Sequence, residues 1–269
     1  MAHYVLSNGV QIPAIGFGTW QIPDGESAYR SVLTALDVGY RHIDTALVYG
    51  NEKSVGRAIR DSGIRREDIF ITTKLPANIK GYQETLDAFN ESLENLGVSY
   101  FDLYLIHAPK PWNVEGEGME YMPQNIESWK AFEQLYKEGK VRSIGVSNFK
   151  PAHLDILLKH TEIVPMVNQI RLHPDHIPTE NIAYCKKHKI LIEAYSPLAT
   201  GRIFENKALE EIAKKYNKSV AQVCIRWSYQ NGFLPLPKSV TPARIKENFN
   251  IFDFELSEED MQKMGSIEK

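Results

Sequence analysis

The feature that most restricts the fold of this chain is an alternation: short apolar runs take turns with longer segments of helical period. The runs fall at 14–18, 41–44, 69–75, 101–107, 141–147, 165–170, 190–195 and 234–236. Between and after them the helical pattern occupies 26–38, 52–62, 82–96, 126–138, 151–159, 179–188, 207–230, with a break near Asn217, and 242–249. Apolar runs of this length read as buried strands. A strand, a helix and another strand in succession require a parallel sheet with helical crossovers, because parallel neighbours cannot be joined by a tight turn. Gly39, Gly63, Gly97 and Gly139 stand where several of the helices should stop.

This periodicity is compatible with an open or a closed sheet. Eight repeats within 269 residues favour closure, since (β/α)8 barrels use about 250 residues as one unit. The expected fold class is therefore α/β, a (β/α)8 TIM barrel. Ahead of it, the extended pieces 3–6 and 10–12 flank Ser7-Asn8-Gly9, a strong hairpin signal, and predict a β-hairpin that caps the barrel bottom. No linker, repeat or low-complexity tract marks a boundary, so residues 1–269 are expected to form a single domain. A composition that is 43% hydrophobic and 24% charged supports a buried core of that size and excludes a disordered chain.

Charge and cysteine content narrow the function. A formal charge of -3 offers no general attraction for nucleic acid or anionic lipid, so neither partner is expected. Cys185 and Cys224 are too few for a disulfide framework and fit a reducing compartment. The first residues show no basic segment followed by an apolar core, and no apolar run approaches eighteen residues, so a cytoplasmic location is expected. His173-Pro174-Asp175-His176 and the pair Cys185 and His188 supply at most two ligands each, and no metal is expected. Gly16-Phe17-Gly18 lacks the third glycine of a dinucleotide fingerprint, and Phe149 breaks the nucleophile-elbow pattern at 145–149.

The informative residues are ionisable groups at strand ends. Asp44, Lys74 and His107 close three different apolar runs, on the rim that becomes the active face of a barrel, and Tyr49 follows Asp44 by five positions. Each alone is what a solvated strand end or a satisfied core histidine looks like. Together they form a proton-donating site: an acid keeps a buried lysine charged, the lysine lowers the pKa of a tyrosine from about 10, and a neutral histidine orients a carbonyl oxygen. No side chain supplies hydride, so a nicotinamide cofactor is implied. Trp20 and Trp112 fall in loops at the open face, whereas Trp129 and Trp227 lie in helical patterns and read as core.

Eight ordered motifs then resemble the aldo-keto reductases over nearly the whole chain. They are GFGTW at 16–20, GYRHIDTALVYGNE at 39–52, TTKL at 72–75, DLYLIHAP at 102–109, GVSNF at 145–149, VNQIRLHP at 167–174, AYSPL at 194–198 and LPKSVTPARIKEN at 236–248. The compact length is most similar to the prokaryotic 2,5-diketo-D-gluconate reductase and glyoxal reductase branch. The resemblance implies a barrel that binds NADPH/NADP and reduces aldehydes or reactive ketones, dicarbonyls and keto-sugars among them, to alcohols. It places Asp44, Tyr49, Lys74 and His107 on the family's catalytic tetrad, with Tyr49 as proton donor. By motif position the cofactor would meet Gly18, Thr19, Trp20 and Asp44. Ser147, Asn148 and Gln169 would hold its carboxamide, Tyr195 would stack on the ring, and Ser196 and Leu198 would line the pyrophosphate channel. Lys238, Ser239 and Arg244 would meet the 2'-phosphate, with Glu247 and Asn248 near the adenine.

The basic stretch also carries its own argument: Pro242 suits a first helical turn, Thr241 suits its cap, and Arg244 and Asn248 share a face. Trp20, Tyr49, His107 and Trp112 are the expected substrate-pocket residues. Where the family often has Trp after the histidine, this chain has Ala108, which should open the pocket wall. Substrate choice is assigned to the loops 21–25, 47–49, 109–123 and 199–206. A small carbonyl compound is the expected partner, and a monomer the expected state. The rival reading, a cofactor-binding redox sensor of the same fold with weak turnover, sits poorly with an intact set of Asp44, Tyr49, Lys74 and His107.

Overall fold

The computed structural model describes residues 2–267. Two short strands, β1 (His3–Val5) and β2 (Gln11–Pro13), pair antiparallel. Eight more form one parallel sheet in sequence order: β3 (Phe17–Gly18), β4 (His42–Asp44), β5 (Phe70–Leu75), β6 (Phe101–Ile106), β7 (Val141–Ser147), β8 (Val167–Arg171), β9 (Leu191–Tyr195) and β10 (Leu234–Leu236). The ends of this sheet meet. Gly16 N–H donates to Pro235 O at 3.1 Å and Gly18 N–H to Pro237 O at 3.0 Å, which joins the first strand region to the last and closes the barrel. Gly16 is required at that seam, because a Cβ there would lie 2.5 Å from Leu236 Cδ2 and 2.6 Å from His42 Nδ1.

The hairpin lies under the barrel, as expected. Tyr4 Oη donates to Tyr229 O and Phe233 O, just ahead of β10, and Asn8 Nδ2 donates to Arg142 O near the start of β7. These contacts are at the N-terminal ends of strands, so the opposite rim stays free for chemistry.

Helices pack outside the sheet, each with one apolar stripe inward. In α1 (Glu26–Val38), Ala28, Ser31, Val32, Ala35 and Leu36 are buried, the spacing of one helical face. The next helices are α2 (Glu52–Asp61), α3 (Tyr82–Leu96), α4 (Met122–Lys137), α5 (Pro151–His160) and α6 (Thr179–Lys187). Gly97 ends α3 in a left-handed conformation, φ 63°, with its N–H on Leu93 O at 2.8 Å. The segment 207–230 is broken at Asn217, φ 52°, into α7 (Lys207–Lys215) and α8 (Val220–Gln230). After α9 (Pro242–Phe249) the chain adds α10 (Glu258–Gly265), which periodicity did not reveal. Its signal was local: Ser257 Oγ accepts from Asp260 N–H as an N-cap. Helix α4 likewise starts four residues before the expected 126, with Pro123 in its first turn. Trp129 and Trp227 are buried core residues, and Cys185 and Cys224 are buried free thiols. Among the described residues, no helix is long and apolar enough to cross a membrane.

Candidate active site

The C-terminal ends of the strands bring Asp44, Lys74, Ser147, Gln169 and Tyr195 to one rim, with His107 immediately after β6 and Tyr49 on a short 3-10 turn (Leu47–Tyr49) after β4. Lys74 is wholly buried, and its Nζ donates to Asp44 Oδ1 at 2.6 Å, to Thr45 O at 2.8 Å and to Tyr49 Oη at 3.3 Å. All three ammonium protons thus have acceptors. Burial works against the charge, but Asp44 and Tyr49 outweigh it and hold the lysine above its ordinary 10.5. The Tyr49 phenol is pushed up from 10 by burial; Lys74 pulls it down and Asp44 adds to the rise.

The net direction for Tyr49 is opposite to the sequence expectation of a lowered value. Desolvation is the largest cause, and the Asp44 charge offsets part of what the ammonium offers the phenol. The hydroxyl stays protonated at neutral pH. The His107 ring lies 5.6 Å from the Tyr49 ring, centroid to centroid, and its pKa is pushed well below 6.5 by burial and by the charges of Lys74 and Lys80. It is a neutral imidazole beside the phenol.

A connected amide layer borders this group. Gln169 Nε2 donates to Asp44 Oδ2 at 2.8 Å and to Glu193 Oε2 at 2.7 Å. Ser147 Oγ donates to Gln169 O at 2.8 Å, and Asn148 Nδ2 donates to Ser147 Oγ and to His107 O. Tyr195 Oη donates to Asn148 Oδ1 at 2.9 Å. Asn148 takes φ 62°, a conformation that asparagine tolerates better than most residues and that turns its amide back over the rim.

These residues form one end of a cleft of about 1230 Å³. Of the residues expected from sequence, Gly18, Trp20, Asp44, Tyr49, His107, Trp112, Ser147, Asn148, Gln169, Tyr195, Ser196 and Leu198 line it, and so do Lys238, Ser239, Arg244, Glu247 and Asn248 at its far end. Lys238 and Arg244 are exposed and have no ion-pair partner among the described residues. Thr241 occupies the N-cap position of α9 without a side-chain cap bond, contrary to the expected capping role; instead its N–H is bonded to Ser239 Oγ. The first turn of that helix therefore keeps free amides next to two cations.

Two placements, those of Thr19 and Ala108, differ from the sequence reading, while Lys74 is buried as expected. Thr19 is buried outside the cleft lining, its hydroxyl bonded to Asp44 O at 3.0 Å, so it braces β4 rather than facing the cavity. Lys74 lies behind Tyr49 and does not line the cleft. Ala108 is also buried and absent from the lining: the space beside His107 is taken by Trp112, edge-on at 5.5 Å. Ala108 O accepts from Lys80 Nζ at 2.7 Å, and burial pulls that lysine down to about 7.

Sequence reasoning missed two buried polar residues and part of the rim. Asn51 donates to Thr19 O and Ile22 O, both at 3.0 Å, and accepts from Thr45 Oγ1 at 3.1 Å, so it ties the Trp20 loop to the Tyr49 loop. Glu193 sits inside the barrel, an acid within an apolar strand. Val48 and Phe204 join Trp20 and Trp112 as exposed apolar side chains on the cleft wall. Their loops were expected to choose substrate, but which side chains face inward depends on loop shape.

Comparison with known proteins agrees with this geometry. The Aldo/keto reductase family pattern matches residues 14–269. The chain is 48% identical to glyoxal reductase of Bacillus subtilis (strain 168), an alignment that covers 98% of this chain and 92% of that protein. It is 47% identical to the 9,11-endoperoxide prostaglandin H2 reductase of Trypanosoma cruzi (strain CL Brener), covering 97% and 90%. Among solved structures it resembles an aldo-keto reductase of Bombyx mori in complex with NADP, at 33% identity and a TM-score of 0.88 over 98% of this chain and 92% of that one.

Proposed function

Since the chain belongs to the aldo/keto reductase family, we propose that it reduces aldehydes or reactive ketones to alcohols with NADPH, Tyr49 giving the proton to the carbonyl oxygen. The observation that carries this reading is the Lys74 ammonium held between Asp44 and the Tyr49 hydroxyl, behind a cleft that continues to Lys238 and Arg244, which have no ion-pair partner among the described residues. When bound, NADPH supplies the hydride. The residues present fit it: a buried amide layer at one end for a carboxamide, the Tyr195 ring beside it, and two cations over the free amides of α9 for a phosphate. The NADP-bound Bombyx mori relative supports the same choice.

In this reading neutral His107 donates a hydrogen bond that orients the carbonyl oxygen, and Tyr49 hands over its proton as negative charge builds there. Lys74 then stabilises the phenolate left behind. Residues 1–269 work as one barrel domain, a cytoplasmic monomer acting on small carbonyl compounds and not on nucleic acid or membrane. Two buried free thiols and a net charge of -3 support that setting.

NADPH consumption measured against aldehydes, dicarbonyls and keto-sugars tests the proposal, together with Tyr49→Phe. That substitution keeps the ring and removes the proton, so turnover should fall about 10² to 10⁴-fold while NADPH still binds. Retention of more than about a tenth of wild-type turnover would reject Tyr49 as the donor.

A further inference from the structure

Below the rim, the barrel holds an acid that proton transfer does not use. Glu193 projects from β9 and is wholly buried. Its Oε2 accepts from Gln169 Nε2 at 2.7 Å, and the same nitrogen donates to Asp44 Oδ2 at 2.8 Å. Both amide protons of Gln169 are thus spent on carboxyl groups from two other strands. Gln169 lines the cleft, and the atom it has left to offer there is its side-chain oxygen.

We propose that Glu193 is a positioning residue for the cofactor: it locks the Gln169 amide with nitrogen inward and oxygen toward the cleft, so that the site accepts a hydrogen bond from the NH2 of a carboxamide. This rests on the nicotinamide reading above. The physical need is plain. The last torsion of a glutamine is broad and nearly two-fold, so an amide held on one side only can exchange its nitrogen and oxygen at small cost. Asp44 alone is such a one-sided hold, and it also serves Lys74. A second acceptor on β9 makes the reversed amide place its oxygen against two acids.

The charge state is consistent with this role. The groups facing Glu193 are Asp44 and His42 from β4, Lys74 from β5 and Gln169 from β8. Lys74 is already paired with Asp44, so an ionised Glu193 would be a second buried negative charge without its own cation. Burial and the Asp44 charge push its carboxyl up to about 8, against the pull of Gln169 and Lys74. His42, pulled down to about 3 by burial and by Lys74, stays neutral and supplies no counter-charge, its Nε2 lying 3.8 Å from Glu193 Oε1. With Oε2 accepting from Gln169, any carboxyl proton sits on Oε1, and a glutamine can present its own oxygen at the Oε2 position.

The test compares NADPH with its 3-acetylpyridine analogue, which has a methyl where the carboxamide has NH2. Dissociation constants for the reduced cofactors are read by fluorescence quenching on wild type, Glu193→Gln and Glu193→Leu. Wild type should bind the analogue about tenfold more weakly, the effect of leaving one acceptor unpaired. Glu193→Leu should weaken NADPH binding about five- to tenfold and shrink the preference between the two cofactors to within about twofold. Glu193→Gln should keep both the affinity and the preference.

A wild type that binds the two cofactors equally would overturn the proposal without any variant. So would a folded Glu193→Leu protein with an unchanged preference, or a Glu193→Gln protein that loses its preference. If wild type bound neither cofactor, the NADPH reading itself would fail, and this inference with it.

Discussion

Lys74 shows how a single side chain is committed to two tasks. It is charged because Asp44 is at 2.6 Å, and it is useful because Tyr49 is at 3.3 Å. Lys74→Met keeps the length and removes the charge, which leaves Asp44 buried without its ion partner. Stability should drop by about 3 to 5 kcal/mol in urea unfolding. The sign of the pH effect follows from the direction of the shift. A lysine raised above 10.5 contributes stability that is present below 10.5 and is lost as pH climbs through the raised value. The wild-type advantage over Lys74→Met should therefore be constant near neutrality and shrink only in strong base. Removing the ammonium also removes the one charge that lowers the Tyr49 phenol, so any basic limb of the residual pH-rate profile should move to higher pH. An unmoved limb would show that Lys74 does not tune the donor. The grouping of Asp44, Lys74 and His107 on one rim was legible in sequence because ionisable residues at the ends of apolar runs are conspicuous. Glu193 was not, since it sits mid-run in LIEAY and periodicity cannot say which face of a barrel strand meets other polar groups. The direction of the Tyr49 shift was not legible either, because desolvation is a property of the packed site.

At the scale of elements, two connections deserve mutation. The first turn of α9, with its free backbone amides, carries Arg244, exposed and without an ion-pair partner among the described residues. If it reads the 2'-phosphate, Arg244→Ala should cost about 1.5 to 3 kcal/mol in NADPH binding, one to two decades, and leave NADH binding nearly unchanged. Equal losses for both cofactors, by titration, would mean that it does not. The second connection is Asn51, whose amide joins the loops of β3 and β4 through three hydrogen bonds. Asn51→Ala strands buried carbonyls and should destabilise the protein by about 2 to 4 kcal/mol. Because Trp20 rides on the loop released, KM for the carbonyl substrate should rise more than the Kd for NADPH; a purely thermal loss with unchanged KM would contradict the bracing role. Helix identities followed from periodicity, but some ends did not. The start of α4 and the whole of α10 depend on local signals, a proline in a first turn and a serine cap, that period counting passes over.

At the scale of the whole molecule, the closing bonds from Gly16 and Gly18 make every strand of the barrel depend on two neighbours. Read as one domain, residues 1–269 should unfold in a single cooperative transition, and NADPH at a hundred times its Kd should stabilise the fold by about 2.7 kcal/mol. Calorimetry with and without cofactor decides this: two separable transitions, or no upward shift with NADPH, would contradict the reading. Eight alternations in a chain of this length made the closed architecture legible, whereas the hydrogen bonds of the seam were not, because they join residues more than two hundred positions apart. The exposed apolar rim has a consequence of another kind. Trp20, Val48, Trp112 and Phe204 reach the cleft wall from four separate loops, and their side chains make no hydrogen bond within the polar network below. Heredity can thus revise what this barrel grips without rewriting how it transfers a proton. Duplicated genes diverging at these four codons, or a laboratory library confined to them, would explore new substrates on one unchanged reaction.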